Sequence, residues 1–109
     1  MDILHYLTAS EVDVVGEWLA GLPDRSARAK VLARIARLAA GNFGDCKPVG
    51  EGVWELRIGH GPGYRLYYAK TGRTTVLLLC GGDKRRQSSD ISKAIAYWKD
   101  FQKRNSQEN

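Results

Sequence analysis

In the stretch WELRIGHGPGYRLYY, residues 54–68, Arg57 and Arg65 stand inside otherwise hydrophobic runs, and the basic cluster Lys84-Arg85-Arg86 follows the last such run. A guanidinium keeps its charge at every physiological pH and offers a planar fork of donors that fits phosphate oxygens. The chemistry to expect of such residues, if they meet, is recognition of a phosphate. Glu55 and Tyr67 alternate with the same arginines. An Arg–Glu pair across the sheet and a phosphate-directed arginine are compatible readings, because the carboxylate can hold the guanidinium in place. For residues 84–86 the competing reading is a solvated basic loop.

Whether these side chains meet depends on the elements that carry them. From Cys46 to Cys80 the hydrophobic period is two, with Gly and Pro between runs, which predicts the strands CKPVG, GVWELRI, GYRLYYAK and RTTVLLLC in an antiparallel meander. On the second of these Trp54, Leu56 and Ile58 share one face, leaving Glu55 and Arg57 on the other; on the third, Arg65 and Tyr67 alternate with Tyr64, Leu66 and Tyr68. Arg57, Arg65, Glu55 and Tyr67 are thus expected together, on the sheet face away from the helices.

Ahead of the sheet, MDILHYL reads as an edge strand. Thr8 with Glu11 makes a capping-box pattern for a first helix over residues 10–21, carrying Val15, Trp18, Leu19 and Leu22. A second helix follows Pro23-Asp24 and ends at Gly41-Asn42. It has an apolar stripe of Val31, Leu32, Ile35, Leu38 and Ala39. Lys30, Arg34 and Arg37 form its basic side, a solvated face or a rail for a phosphate backbone. After the last strand, Gly81-Gly82 should release the chain, and Ser88, Ser89 or Asp90 should cap a final helix docked through Ile91, Ala94, Ile95, Trp98 and Phe101. Residues 105–109 read as a frayed tail of a single domain spanning 1–109.

The chain has 109 residues, 43% of them hydrophobic and 27% charged, the balance of one soluble globular domain. No apolar run is long enough to span a bilayer, and the N-terminus is acidic where a signal peptide is basic, so a cytoplasmic protein without membrane contact is expected. Cys46 and Cys80 fit no metal or redox spacing and read as free thiols; no metal or cofactor is expected. The net charge of +5 is polarised: residues 1–22 hold four acids and no Lys or Arg, residues 71–109 eight bases against four acids. Such a basic surface favours a polyanion, of which nucleic acid is the commonest, or an acidic protein.

The succession GDCKPVG, VWELRI, GPGYRLYY and LLLCGGDK, in this order and spacing, resembles the RelE/ParE superfamily of type II toxins, and within it the HigB-like, phage-derived addiction module killer proteins. The resemblance runs from the Trp18-Leu19 helix to the C-terminal helix. It implies an α+β fold with two N-terminal helices packed on a twisted antiparallel sheet and a C-terminal helix. It also implies a metal-independent endoribonuclease that cleaves mRNA on the translating ribosome, and a cognate antitoxin, often a helix-turn-helix protein. On this resemblance Arg65 and Arg57 act on the scissile phosphate, and Lys84 or Arg86 protonates the leaving oxygen or stabilises its charge. Arg85 holds a flanking phosphate, Tyr67 or Tyr68 either stacks on a base or packs in the core, and His60 either touches RNA or is a surface-loop histidine without a catalytic part. The chain departs from the best-known RelE pattern at the C-terminal tyrosine: Asp90-Ile91 stands in that neighbourhood, and Tyr97 falls later. Two alternatives stay open on the same fold, a ParE-like gyrase poison and an inactive prophage remnant that only binds antitoxin.

Overall fold

The structure, a computed structural model, describes residues 1–107. Among them the chain forms β1 (Asp2–His5), α1 (Val14–Gly21), α2 (Arg25–Ala39), β2 (Cys46–Gly50), β3 (Val53–Ile58), β4 (Tyr64–Thr71), β5 (Thr75–Asp83), a 3-10 turn at Lys84–Arg86 and α3 (Gln87–Gln107). The sheet order is β1-β5-β4-β3-β2. The meander β2 to β5 is antiparallel as expected, and β1 is an edge strand, but it pairs parallel to β5, so the sheet is mixed.

The two-residue period sorts the strands into two faces. Leu56, Ile58, Tyr64, Leu66, Tyr68, Val76 and Leu78 pack with Val15, Ala27, Val31 and Leu38 of α1 and α2. Val53, Tyr67, Ala69, Leu77, Leu79 and Cys80 pack with Ala94 and Trp98 of α3. The helices therefore cover both faces, and the face of Glu55, Arg57 and Arg65 is the one α3 covers. The expectation of a helix-free arginine face is corrected: the apolar stripe of α3 needs its own sheet surface, and Val53, Tyr67 and Ala69 supply one.

Several boundaries move for local reasons. Thr8 caps no helix; its Oγ1 accepts from the Val12 amide at 3.1 Å in a turn in which Glu11 takes a φ of 64°. Asp13 caps α1, accepting from the Gly16 amide at 2.9 Å. Asp24 caps α2 in the same way through Ser26. At the far end of α2 the amides of Gly41 and Asn42 bond the Leu38 and Arg37 carbonyls, a Schellman closure made possible by Gly41 at φ 85°. Leu32, expected in the apolar stripe, is exposed. Asp83, not Ser88, Ser89 or Asp90, caps the turn that leads into α3. Asn105 and Ser106, expected in a frayed tail, are helical, because Arg104 bonds the Asp100 carboxylate and the Leu7 carbonyl and so pins the last turns to the β1 end. Residues 108 and 109 of that expected tail lie outside the described residues.

Gly81 and Gly82 do not release the chain; both lie inside β5. A register shift between Tyr67 and Tyr68 inserts one extra residue opposite them, after which Gly81 faces α1 and Gly82 faces α3. Neither position has room for a side chain. An added Cβ would overlap the Trp18 ring at Gly81 and the Asp90 carboxylate at Gly82.

Two predictions concern this frame. Cys80 is buried, its Sγ 3.5 Å from the Asp90 carbonyl, and burial pushes its thiol up to about 12, so almost no thiolate forms near neutrality. Ellman's reagent at about pH 8 is expected to titrate at most one thiol in the native protein, and both cysteines in denaturant. Tyr6 donates to Asp100 at 2.5 Å, and burial, reinforced by that carboxylate, pushes its phenol from 10.0 up to about 12. Burial raises Tyr67 and Tyr68 as well. A folded-state value above the unfolded one means the contribution is complete below about pH 10 and is lost as pH rises through the folded value. Urea melts should show stability falling from about pH 10 upward, with a shallower fall in Tyr6→Phe.

Candidate functional site

Arg57 on β3 and Arg65 on β4 are direct cross-strand partners. Both lie toward the β3–β4 loop. The loop folds back so that the Lys84 amide donates to the Gly63 carbonyl at 2.9 Å, which brings the start of the 3-10 turn beside the arginines. Gly63 has a φ of 82°, and a Cβ there would sit 3.3 Å from Arg65 Nη1. Arg57, Arg65 and Lys84 border one cavity of about 350 Å³, with Asp45 on its rim.

Each guanidinium has a carboxylate partner. Arg57 pairs with Asp45, Nη2 to Oδ1 at 3.0 Å, and its side chain is 39% exposed. Arg65 is only 13% exposed, and its Nε lies 3.7 Å from Oε1 of Glu55, which is fully buried. Glu55 in turn accepts from Gln87 Nε2 at 2.7 Å and Tyr67 OH at 3.1 Å, with Lys47 Nζ at 4.0 Å. The expected Arg–Glu pair across the sheet is present, and Arg65 borders the cavity. Three cations against one exposed carboxylate make a concavity suited to an anion.

The other expected site residues are placed elsewhere. Arg85 and Arg86 border a neighbouring cleft of about 550 Å³ rather than the arginine cavity. Arg85 is tied to Asp83, Nη2 to Oδ2 at 3.0 Å, which holds the Asp83 carboxyl below its ordinary range. The 3-10 turn causes the separation, because successive residues of a tight helix point in different directions. Tyr67 is buried beneath α3 with its hydroxyl on Glu55, and Tyr68 is buried on the opposite face beside Phe43, ring centroids 6.1 Å apart. Neither can stack on a base. His60 turns away to Asp24 at the start of α2, Nε2 to Oδ2 at 3.1 Å. Arg34 is consumed by the Arg57 and Phe43 carbonyls at 2.8 and 3.3 Å, so it ties α2 to the sheet. Lys30 and Arg37 stay exposed beside Gly59.

Asp45, Gln87 and Lys47 were invisible in the sequence as members of this site. Asp45 sits in a loop, yet its carbonyl accepts from the Arg57 amide at 3.0 Å; only the β2–β3 register brings it there.

A family model described as "Phage derived protein Gp49-like" matches residues 17–99. The span includes every strand of the meander and both cavities, and the chain belongs to this family of phage-derived, addiction-module toxin-type proteins. An uncharacterized protein of Haemophilus influenzae is 52% identical over 77 residues, covering 71% of this chain and 78% of that protein. Among the described residues, no helix is long and apolar enough to cross a membrane.

Proposed function

We propose that this protein is the toxin of a toxin–antitoxin pair and acts as a metal-independent, ribosome-dependent mRNA endonuclease of the RelE/HigB type. One observation carries the reading: Arg57, Arg65 and Lys84 border a single cavity, with Arg65 held in place by a buried carboxylate. Membership of a toxin-type family supplies the context.

The chemistry follows from these groups. The 2′-hydroxyl of the RNA passes its proton to solvent water as its oxygen attacks the adjacent phosphorus, a new O–P bond forms, and the bond to the 5′-oxygen breaks. The products are a 2′,3′-cyclic phosphate and a free 5′-hydroxyl. Arg65 and Arg57 bind the non-bridging oxygens and stabilise the charge that builds on them. Lys84, whose ammonium is a compact proton donor, gives its proton to the departing 5′-oxygen. The ribosome orients the strand, and a helix-turn-helix antitoxin encoded with the toxin silences it by covering the basic cavity or by blocking entry to the ribosome.

The test is induction in cells lacking antitoxin, with mapping of mRNA 5′ ends. New 5′-hydroxyl ends within coding regions are expected within minutes of growth arrest. Arrest with intact transcripts and altered DNA supercoiling would replace this reading by a gyrase poison.

A further inference from the structure

The β3–β4 loop walls the arginine cavity, and its sequence gives it little stiffness of its own. Gly59, Gly61, Pro62 and Gly63 line that cavity, and Pro62 also borders the neighbouring cleft. Three of the five residues between β3 and β4 are glycines, and Gly61 and Gly63 take φ values of 55° and 82°. Glycine loses the most conformational freedom on being ordered, so the order must come from outside the loop. It comes along a path of three hydrogen bonds. At the α2 end, His60 Nε2 donates to Asp24 Oδ2 at 3.1 Å, with the imidazole only 24% exposed. The Gly63 amide donates to the His60 carbonyl at 3.0 Å, and the Lys84 amide to the Gly63 carbonyl at 2.9 Å. The other Asp24 oxygen accepts from the Ser26 amide at 2.9 Å, so the residue that caps α2 also holds the loop. The His60 contact, ahead of the Ser26 amide, keeps the Asp24 carboxyl below its ordinary range. The path therefore starts outside the arginine cavity and ends at the backbone of Lys84, which borders it.

We propose that His60 and Asp24 form a latch that positions Lys84: their contact fixes the β3–β4 loop on the start of α2, and the fixed loop holds the first residue of the 3-10 turn beside Arg57 and Arg65. His60 is a positioning residue, since its ring bonds Asp24 rather than bordering the cavity. That Lys84 acts on RNA rests on the ribonuclease reading above; the latch itself rests on the geometry of the loop. A contact this close to solvent contributes little to global stability. Its effect is local. It sets how often the loop opens, and a proton donor displaced by about 1 Å loses much of its rate advantage.

The test joins amide hydrogen exchange at Lys84, read by NMR on the ¹⁵N-labelled protein, to kcat and KM for cleavage of ribosome-bound mRNA. Two variants open the latch. His60→Asn is too short to reach Asp24, and Asp24→Ser keeps an N-cap for α2 while withdrawing the acceptor. Each is expected to speed Lys84 exchange about five- to tenfold and to lower kcat by about the same factor, with KM changed less than about twofold. His60→Gln sets an N–H where Nε2 stands and should keep wild-type exchange and kcat. The double variant His60→Asn/Asp24→Ser should be no worse than either single one, because both remove the same contact. Unaltered Lys84 exchange in His60→Asn, equal effects of Asn and Gln, additive effects in the double variant, or exchange that rises across the whole sheet instead of at the loop would overturn the latch. Exchange involves no ribosome and no RNA. The expected exchange pattern with no cleavage by the wild type would sink the nuclease reading alone; cleavage by the wild type with Lys84 exchange unmoved by the variants would sink this inference alone.

Discussion

Replacing Arg65 by alanine is expected to lower mRNA cleavage about 10²–10³-fold and to abolish growth arrest, the loss typical of removing one preorganised donor to a developing anion. Arg65 has the larger expected effect of the two sheet arginines because it is the more enclosed, 13% exposed against 39% for Arg57, and a less hydrated guanidinium acts on a phosphate through a lower local dielectric. The substitution carries a structural cost as well. It strips the nearest cation from the fully buried Glu55, leaving Lys47 at 4.0 Å, and breaking such a pair costs about 3–5 kcal/mol. A single variant would confuse lost chemistry with lost fold. The double variant Arg65→Ala/Glu55→Gln removes the stranded charge, keeps acceptor capacity for Gln87 and Tyr67, and should regain most of the melting temperature while staying inactive. Cleavage that returns with the fold would show that Arg65 serves only structure. Glu55→Gln alone should be folded and partly active, since it loosens Arg65 without removing it.

The second large effect concerns stability. Gly81→Ala is expected to destabilise the protein by about 1–3 kcal/mol, the usual cost of forcing a methyl into a filled space. In a domain of this size that lowers the melting temperature by roughly 4–8 °C for each kcal/mol. The new Cβ overlaps the benzenoid ring of Trp18, and the indole can move only by giving up its contact with the α1 face of the sheet and its edge-on packing against Tyr64, ring centroids 6.4 Å apart. Gly59→Ala is the control. Nothing lies within 4 Å of its added Cβ, so its melting temperature should stay within a degree or so of wild type. Differential scanning calorimetry on both variants checks the pair, and an unshifted Gly81→Ala would contradict the close approach of Trp18 to β5.

The opening stretch shows how far sequence reasoning reached. The alternation of Trp54, Leu56 and Ile58 with Glu55 and Arg57 set which side chains share a face, and the structure keeps that division. Reading Gly81-Gly82 as an exit from the sheet failed because glycine has two uses that look alike in a sequence: it frees the chain to turn, and it makes room for a neighbour. Here the neighbours, Trp18 and Asp90, come from helices at opposite ends of the chain. The sequence left Tyr67 and Tyr68 open between a binding surface and the core for a related reason. A tyrosine on a strand suits a binding surface or a core equally well, and what decides is whether a helix lies over it.

Local patterning determined the elements, their order in the meander, the shared sheet face of Arg57 and Arg65, and the polarity of charge along the chain. These depend on side-chain period, turn chemistry and composition, all carried by neighbouring residues. The tertiary structure decided which charges meet. It placed α3 over Tyr67, buried Glu55 behind Arg65, brought Lys84 to Gly63, and sent Arg85 and Arg86 to the Trp18–Asp90 cleft. Those outcomes are set by strand register and helix docking, in which residues far apart in the chain compete for the same buried surface, and no local period encodes the winner.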